Sequence, residues 1–183
     1  MTVFSQTSLN TIRVVTMYTR TESVIILGAT LRCGVGDAVV DNWSAGGVAV
    51  GIDCEEGRLK KYAFDKHGSR YSRHPTTGCA FEGFTVPEWP AIVDVATRIQ
   101  KLFTMYRLLG MDIAVREDGK PVLIEVNNNT DLMFQEQTSG PLLRRDVVLQ
   151  AFGEYGLFVN RHQQRLYEQF TGQRHHVPAT SCS

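Results

Sequence analysis

Met111-Asp112-Ile113-Ala114-Val115-Arg116-Glu117-Asp118-Gly119-Lys120-Pro121-Val122-Leu123-Ile124-Glu125-Val126-Asn127 consists of two apolar runs joined by a polar tip. Asp-Gly between alternating apolar runs is the strongest short-range signal for a β-hairpin. With Asp118 and Gly119 as a two-residue turn, Glu117 faces Lys120, Val115 faces Val122, Ile113 faces Ile124 and Asp112 faces Glu125. Opposed residues on one sheet face have Cβ atoms about 5 Å apart. Asn127 lies two residues beyond Glu125 and so shares its face. A three-residue loop would shift this pairing.

Two facing carboxylates repel each other. A sequence that keeps such a pair either leaves it in water or neutralises it with a proton, a basic side chain or a cation. Two carboxylates and an amide oxygen are hard donors, suited to Mg²⁺ or Mn²⁺. The candidate metal ligands are therefore Asp112, Glu125 and Asn127, and the competing reading is a solvated pair on a half-exposed sheet.

Working outward, Thr11–Tyr18 reads as a strand with Ile12, Val14 and Thr16 on one face and Arg13 and Val15 on the other. Ser23–Arg32 reads as a second strand, reversed through Thr19–Glu22. Arg13, mid-strand, needs a partner, because an uncompensated guanidinium facing a core is costly. Arg32 ends the second strand just before a glycine-punctuated loop, Cys33–Gly47. Arginine's planar fork suits phosphate oxygens. The loop Asp41-Asn42-Trp43-Ser44-Ala45-Gly46-Gly47 can turn backbone N–H groups towards an anion. It lacks the Gly-Lys-Ser/Thr of a Walker A loop. Gly46–Asp53 and Arg58–Phe64 read as a second hairpin, with Glu55 facing Arg58 and Asp53 facing Lys60.

Residues 65–86 read as irregular. A helix is expected from Pro87, because Ile92, Ala96, Ile99, Phe103, Tyr106 and Leu109 recur at helical spacing and Gly110 suits the stop. Leu142–Phe152 and Arg161–Phe170 suggest further helices, with loop between Asn128 and Pro141. The order is four strands, a helix, a hairpin, then helices. This predicts an α+β fold with a mostly antiparallel sheet and flanking helices. Residues 1–172 read as one domain and 173–183 as a flexible tail.

The bulk numbers exclude several classes. The chain has 183 residues, 43% hydrophobic and 21% charged, with a formal net charge of zero. There is no basic block to favour nucleic acid and no apolar run long enough to span a membrane. The N-terminus lacks the pattern of a signal peptide. The four cysteines are scattered, with no Cys-x-x-Cys, as expected for reduced thiols in a cytoplasmic protein. His74 stands alone and reads as an exposed residue of an ordered loop with Pro75 and Gly78 rather than a catalytic one. Ser44 and Ser139 have no evident histidine partner, so a hydrolase triad is not supported.

Asp112 followed by Glu125-Val126-Asn127 resembles the metal-binding signature of the ATP-grasp superfamily. Ser8–Thr16, Asp41–Gly47, His74–Gly78 and Gly110–Ala114 resemble the sugar-transfer-associated ATP-grasp family, whose members accompany polysaccharide-biosynthesis genes. Gln135–Gly140 resembles the segment after the metal site in glutamate-adding ligases. The resemblance implies ATP and Mg²⁺ as cofactors and a small-molecule carboxylate that is phosphorylated and then attacked by an amine or similar nucleophile. It also assigns roles. Arg13 and Arg32 would contact phosphates or the acyl phosphate as cofactor-binding and catalytic residues. Asn42 would reach a phosphate oxygen or the second metal. Asp112 would hold one Mg²⁺, Glu125 would bridge two and Asn127 would hold the second. ATP-grasp proteins clasp ATP between two subdomains, and the resemblance covers the C-terminal one. The expectation is a partial domain lacking the N-terminal nucleotide-binding subdomain and inactive alone: a truncated gene product, a cloned fragment or a protein completed by another chain. Two other readings stand beside it: a non-catalytic remnant or interaction module that docks on a partner protein, and a small phosphatase or nuclease using the same carboxylates.

Overall fold

The computed structural model describes residues 4, 9–36, 46–157 and 161–172. Among them a seven-stranded sheet, antiparallel throughout, has the order β5-β4-β3-β2-β1-β6-β7. The strands are β1 Thr11–Tyr18, β2 Val24–Cys33, β3 Val48–Ile52, β4 Leu59–Phe64, β5 Arg70–Tyr71, β6 Leu108–Val115 and β7 Pro121–Asn127. The helices are α1 Trp89–Leu102, α2 Leu132–Ser139, α3 Asp146–Glu154 and α4 Arg161–Thr171. The fold is α+β, as the sequence order predicts.

The two sheet faces are covered differently. Ile12, Val14, Leu31, Met111 and Ile113 form one core with Ile92 and Ala96 of α1. On the opposite face Val15, Met17 and Leu27 pack against Leu142, Val148 and Phe152, from a 3-10 turn and α3. Strand alternation thus buries Arg13's neighbours Ile12 and Val14 under α1 and turns Arg13 to the second face.

The β6–β7 hairpin differs from its expected register near the tip and agrees with it at the site. Val115 pairs with Pro121, Ala114 with Val122 and Ile113 with Leu123, one residue off expectation. The turn closes with Gly119 N–H donating to Arg116 O at 3.0 Å and Arg116 N–H to Lys120 O at 3.0 Å. Gly119 has φ +83°, a conformation that favours glycine in a longer loop than the two-residue one expected. A bulge between Asp112 and Ile113 then restores the offset, so Asp112 pairs with Glu125 and Gly110 with Asn127.

The helix expected from Pro87 to Gly110 stops at Leu102. Gln100 explains the break. Its Nε2 donates to Tyr106 O at 2.8 Å, and its Oε1 accepts from Thr16 Oγ1 at 2.7 Å. This fully buried amide holds the chain in the turn that feeds β6. Leu109 and Gly110 are strand residues paired with β1.

Two further expectations are corrected. In the β3–β4 hairpin Ile52 pairs with Leu59, and Asp53 does not face Lys60. Asp53 Oδ1 instead accepts from Glu55 N–H and Glu56 N–H, both at 2.9 Å, shaping the turn. The segment expected as loop between Asn128 and Pro141 contains α2. Asp131 caps it, accepting from Met133 N–H at 2.9 Å and Phe134 N–H at 3.3 Å, an arrangement worth about 1 kcal/mol. No apolar stripe announces α2, because it docks through polar groups. Thr30 Oγ1 bonds Gln135 Oε1 at 3.1 Å and Thr138 Oγ1 at 2.8 Å.

Candidate active site

Four neighbouring strands and the start of α2 build one polar strip on the second sheet face. β1 supplies Thr11 and Arg13, β2 supplies Thr30 and Arg32, β6 supplies Gly110 and Asp112, and β7 supplies Glu125 and Asn127. The register makes them adjacent: Arg13 pairs with both Thr30 and Asp112, and Thr11 with Arg32. Asp112 is the hub. Arg13 Nε contacts its Oδ1, and Arg13 Nη2 donates to Oδ2 at 2.9 Å. Arg32 Nη2 lies 2.9 Å from the same Oδ2. Arg32 is steadied from behind, with Nε and Nη2 donating to Thr11 Oγ1 at 3.1 and 2.8 Å. The Asp112 side chain is 5% exposed, Arg13 16% and Arg32 15%.

The facing-carboxylate problem is therefore resolved by basic side chains. Asp112 carries two cations, and Glu125 opposite it is exposed to water. Asn127 is half-buried beside them. A carboxylate offers about four lone-pair directions, and Asp112 has three guanidinium contacts. Among the described residues no three His, Cys, Asp or Glu side chains form a metal cluster. The oxygen donors at this site are two carboxylates and the Asn127 amide, and they fit a hard cation in kind.

Of the residues expected at the site, Arg13, Arg32, Asp112, Glu125 and Asn127 come together, whereas Asn42 lies outside the described residues. Three others at the strip were not anticipated. Thr11 shares Arg13's strand face, so period-2 reading from Arg13 finds it. Thr130 lies over Gly110: a Cβ there would sit 2.5 Å from Thr130 Oγ1 and 2.8 Å from its Cβ. Gly110 therefore keeps the strand low enough for the chain entering α2 to cross it. Gln135 is fully buried, and its Nε2, like Thr130 Oγ1, has no hydrogen-bond partner among the described residues. Periodicity marks neither of these two, and the only sequence sign of Gln135 is that it opens the Gln135–Gly140 segment.

His74, expected to be an exposed loop residue, is buried and tied into its loop. Its Nδ1 accepts from Thr76 N–H and Thr77 N–H, both at 3.3 Å, which leaves Nε2 to donate to Gly34 O at 3.0 Å. Thr76 Oγ1 accepts from Gly36 N–H at 2.7 Å. The ring packs beside Phe4 and Phe81. Burial pushes its pKa below the ordinary 6.5, against a smaller opposite effect of the Gly34 carbonyl. The unfolded chain then binds the proton more readily than the folded one, so stability is full above pH 6.5 and declines as pH falls below it. Thermal melts from pH 7 to pH 5 should show a falling midpoint. His74→Asn, which keeps an acceptor in place of Nδ1, should flatten that slope. An unchanged slope would remove His74 from this account.

A family model described as sugar-transfer associated ATP-grasp matches residues 1–152. The chain belongs to the sugar-transfer associated ATP-grasp family. Membership of the ATP-grasp family carries ATP dependence, ligase-like function and, in general, use of Mg²⁺. The comparisons with curated proteins and with solved structures found no match. Among the described residues of this ATP-grasp family member, no helix is long and apolar enough to cross a membrane.

Proposed function

We propose that the polar strip is the metal- and triphosphate-binding half of an ATP-grasp carboxylate–amine ligase. The observation that carries this reading is the pairing of Arg13 and Arg32 around Asp112, directly opposite exposed Glu125 and next to Asn127. Asp112, Glu125 and Asn127 would hold Mg²⁺, or Mn²⁺ in its place. When bound, the ion would neutralise charge on the ATP phosphates. Arg13 and Arg32 present guanidinium donors to the oxygens of the transferring phosphoryl group. Asp112 holds both guanidinium groups together on the strip.

In the proposed reaction a substrate carboxylate oxygen attacks the γ-phosphorus of ATP. The bond to the bridging oxygen breaks and ADP leaves, giving an acyl phosphate. An amine then attacks the acyl carbon, loses a proton and expels inorganic phosphate. The adenine-binding subdomain would come from other residues or another chain, and Asn42 would approach the phosphates from its loop. Residues 1–172 would act as this partial domain, with 173–183 as a tail. We place the protein in the cytoplasm and its product in polysaccharide biosynthesis.

A second reading is favoured by the same hub. Two arginines saturating one aspartate make a stable structural cluster, as in an interaction module with no nucleotide. Calorimetry with ATP separates the two. The ligase-half reading expects weak, Mg²⁺-dependent ATP binding without turnover by the isolated chain. Glu125→Ala should weaken it roughly tenfold or more while leaving folding unchanged, because Glu125 is exposed. Binding of ATP equal with and without Mg²⁺, or unchanged in the variant, would favour the interaction module.

A further inference from the structure

α2 crosses the second sheet face obliquely, from Gly110 of β6 beneath Thr130 to Gly51 of β3 beneath Thr138. The polar strip lies on the Arg32 side of this helix. On the other side, beyond Gly28, is a cavity of about 410 Å³. Its walls carry five charged side chains: Lys60, Arg144 and Arg145, and Asp53 and Glu55. Among the described residues no two of the five form an ion pair within 4.0 Å.

The positions of these groups follow from the backbone. β3 pairs with β2 only from Ala29 onward, and Leu27 is the extra residue where the β1 register shifts. The Ile26 and Leu27 carbonyls are thus left at the end of the β3 ladder. Arg145 Nη1 caps both, at 2.9 and 2.8 Å. Among the described residues its half-buried guanidinium bonds these two neutral carbonyls and has no carboxylate in direct contact. Lys60 Nζ bonds the Ser139 carbonyl at the end of α2. Asp53 holds the opposite rim through its turn bonds to Glu55 N–H and Glu56 N–H. Leu27 and Leu142 supply an apolar floor.

A partly buried cation without a counter-ion is stabilised by an anion, and the rim carboxylates suit a cation. We propose that this cavity binds a small zwitterion of the α-amino-acid type. The ligand carboxylate would meet Arg144, Arg145 and Lys60. Its ammonium group would meet Asp53 and Glu55, and an apolar side chain would lie on the Leu27–Leu142 floor. The site is separated from Asp112 by α2 and does not rest on the ligase reading.

Calorimetry on the full chain with L-leucine, N-acetyl-L-leucine and L-leucinamide tests this. Leucine is expected to bind saturably, and each singly charged analogue about tenfold more weakly or worse. Glu55→Gln and Lys60→Gln, both at exposed positions, should each weaken leucine by a similar factor. Glu125→Ala should leave leucine binding unchanged, whatever it does to ATP. Absence of saturable leucine binding overturns the proposal. So does N-acetyl-leucine binding as tightly as leucine, which marks a plain anion hole, or indifference to both rim variants. Loss of leucine binding in Glu125→Ala would overturn the separation of the two sites.

Discussion

Asp112→Ala is expected to lower the unfolding free energy by about 3–5 kcal/mol, the range for removing one partner of a buried ion pair. The physical reason is the number of cations that depend on it. Arg13 and Arg32 converge on one carboxylate whose side chain is 5% exposed, and they are themselves only 16% and 15% exposed. Without that anion two guanidinium groups on adjacent strands face each other with poor access to water. Asp112→Asn keeps the shape and one acceptor, so it should fall between Ala and the parent. Urea denaturation at neutral pH, with an unchanged m value, measures the difference. A loss below about 1 kcal/mol would place the cluster among ordinary surface pairs. The same dependence is why Glu125 and not Asp112 is the residue to substitute when nucleotide binding is measured.

Gly51→Ala should be nearly as damaging, by about 1–3 kcal/mol, the usual range for overpacking. A Cβ at Gly51 would overlap the Thr138 carbonyl oxygen and lie 2.8 Å from its carbon and 3.1 Å from Ser139 Cα. All three are backbone atoms of α2, which no rotamer change can move aside. Gly28→Ala is the informative contrast. Its Cβ would meet Gln135 Oε1 at 2.9 Å, the far end of a flexible side chain, so a smaller loss is expected. Comparing the two urea midpoints tests whether α2 is seated by its backbone. Equal midpoints would mean that α2 shifts freely over the sheet.

Much of this architecture was legible from local chemistry. The alternation in Thr11–Tyr18 marks β1 to its observed ends and separates Arg13 and Val15 from Ile12 and Val14. The Asp-Gly tip announces the β6–β7 hairpin. What escaped was decided by distant partners. Phe103, Tyr106 and Leu109 continue a helical spacing, yet Gln100, bonded to Thr16, ends the helix before them. α2 carries no apolar stripe because Thr30, a residue more than a hundred positions away, receives it. Only its Asp131 cap was available as a local sign. Lys60 reads as the cross-strand partner of Asp53, but the β3–β4 register separates them, and Lys60 bonds the Ser139 carbonyl while Asp53 shapes its own turn. The Asp112–Glu125 pairing was anticipated with an incorrect turn, and the bulge made the two agree. Thr130 and Gln135 join the strip through the path of α2, which periodicity does not encode.

That bulge lets the hairpin work like a vernier. A one-residue slip in a sheet turns every side chain to the other face, so a tip joined rigidly to the site would transmit any change of loop length to Asp112. Here the tip and the site run one residue out of phase, and the strand between them takes up the difference at a single point. The one-residue offset of the Arg116–Lys120 loop thus stops short of the site, where Asp112 is held in phase by its pairing with Arg13 of β1, and Glu125 and Asn127 by their pairing with Asp112 and Gly110 of β6.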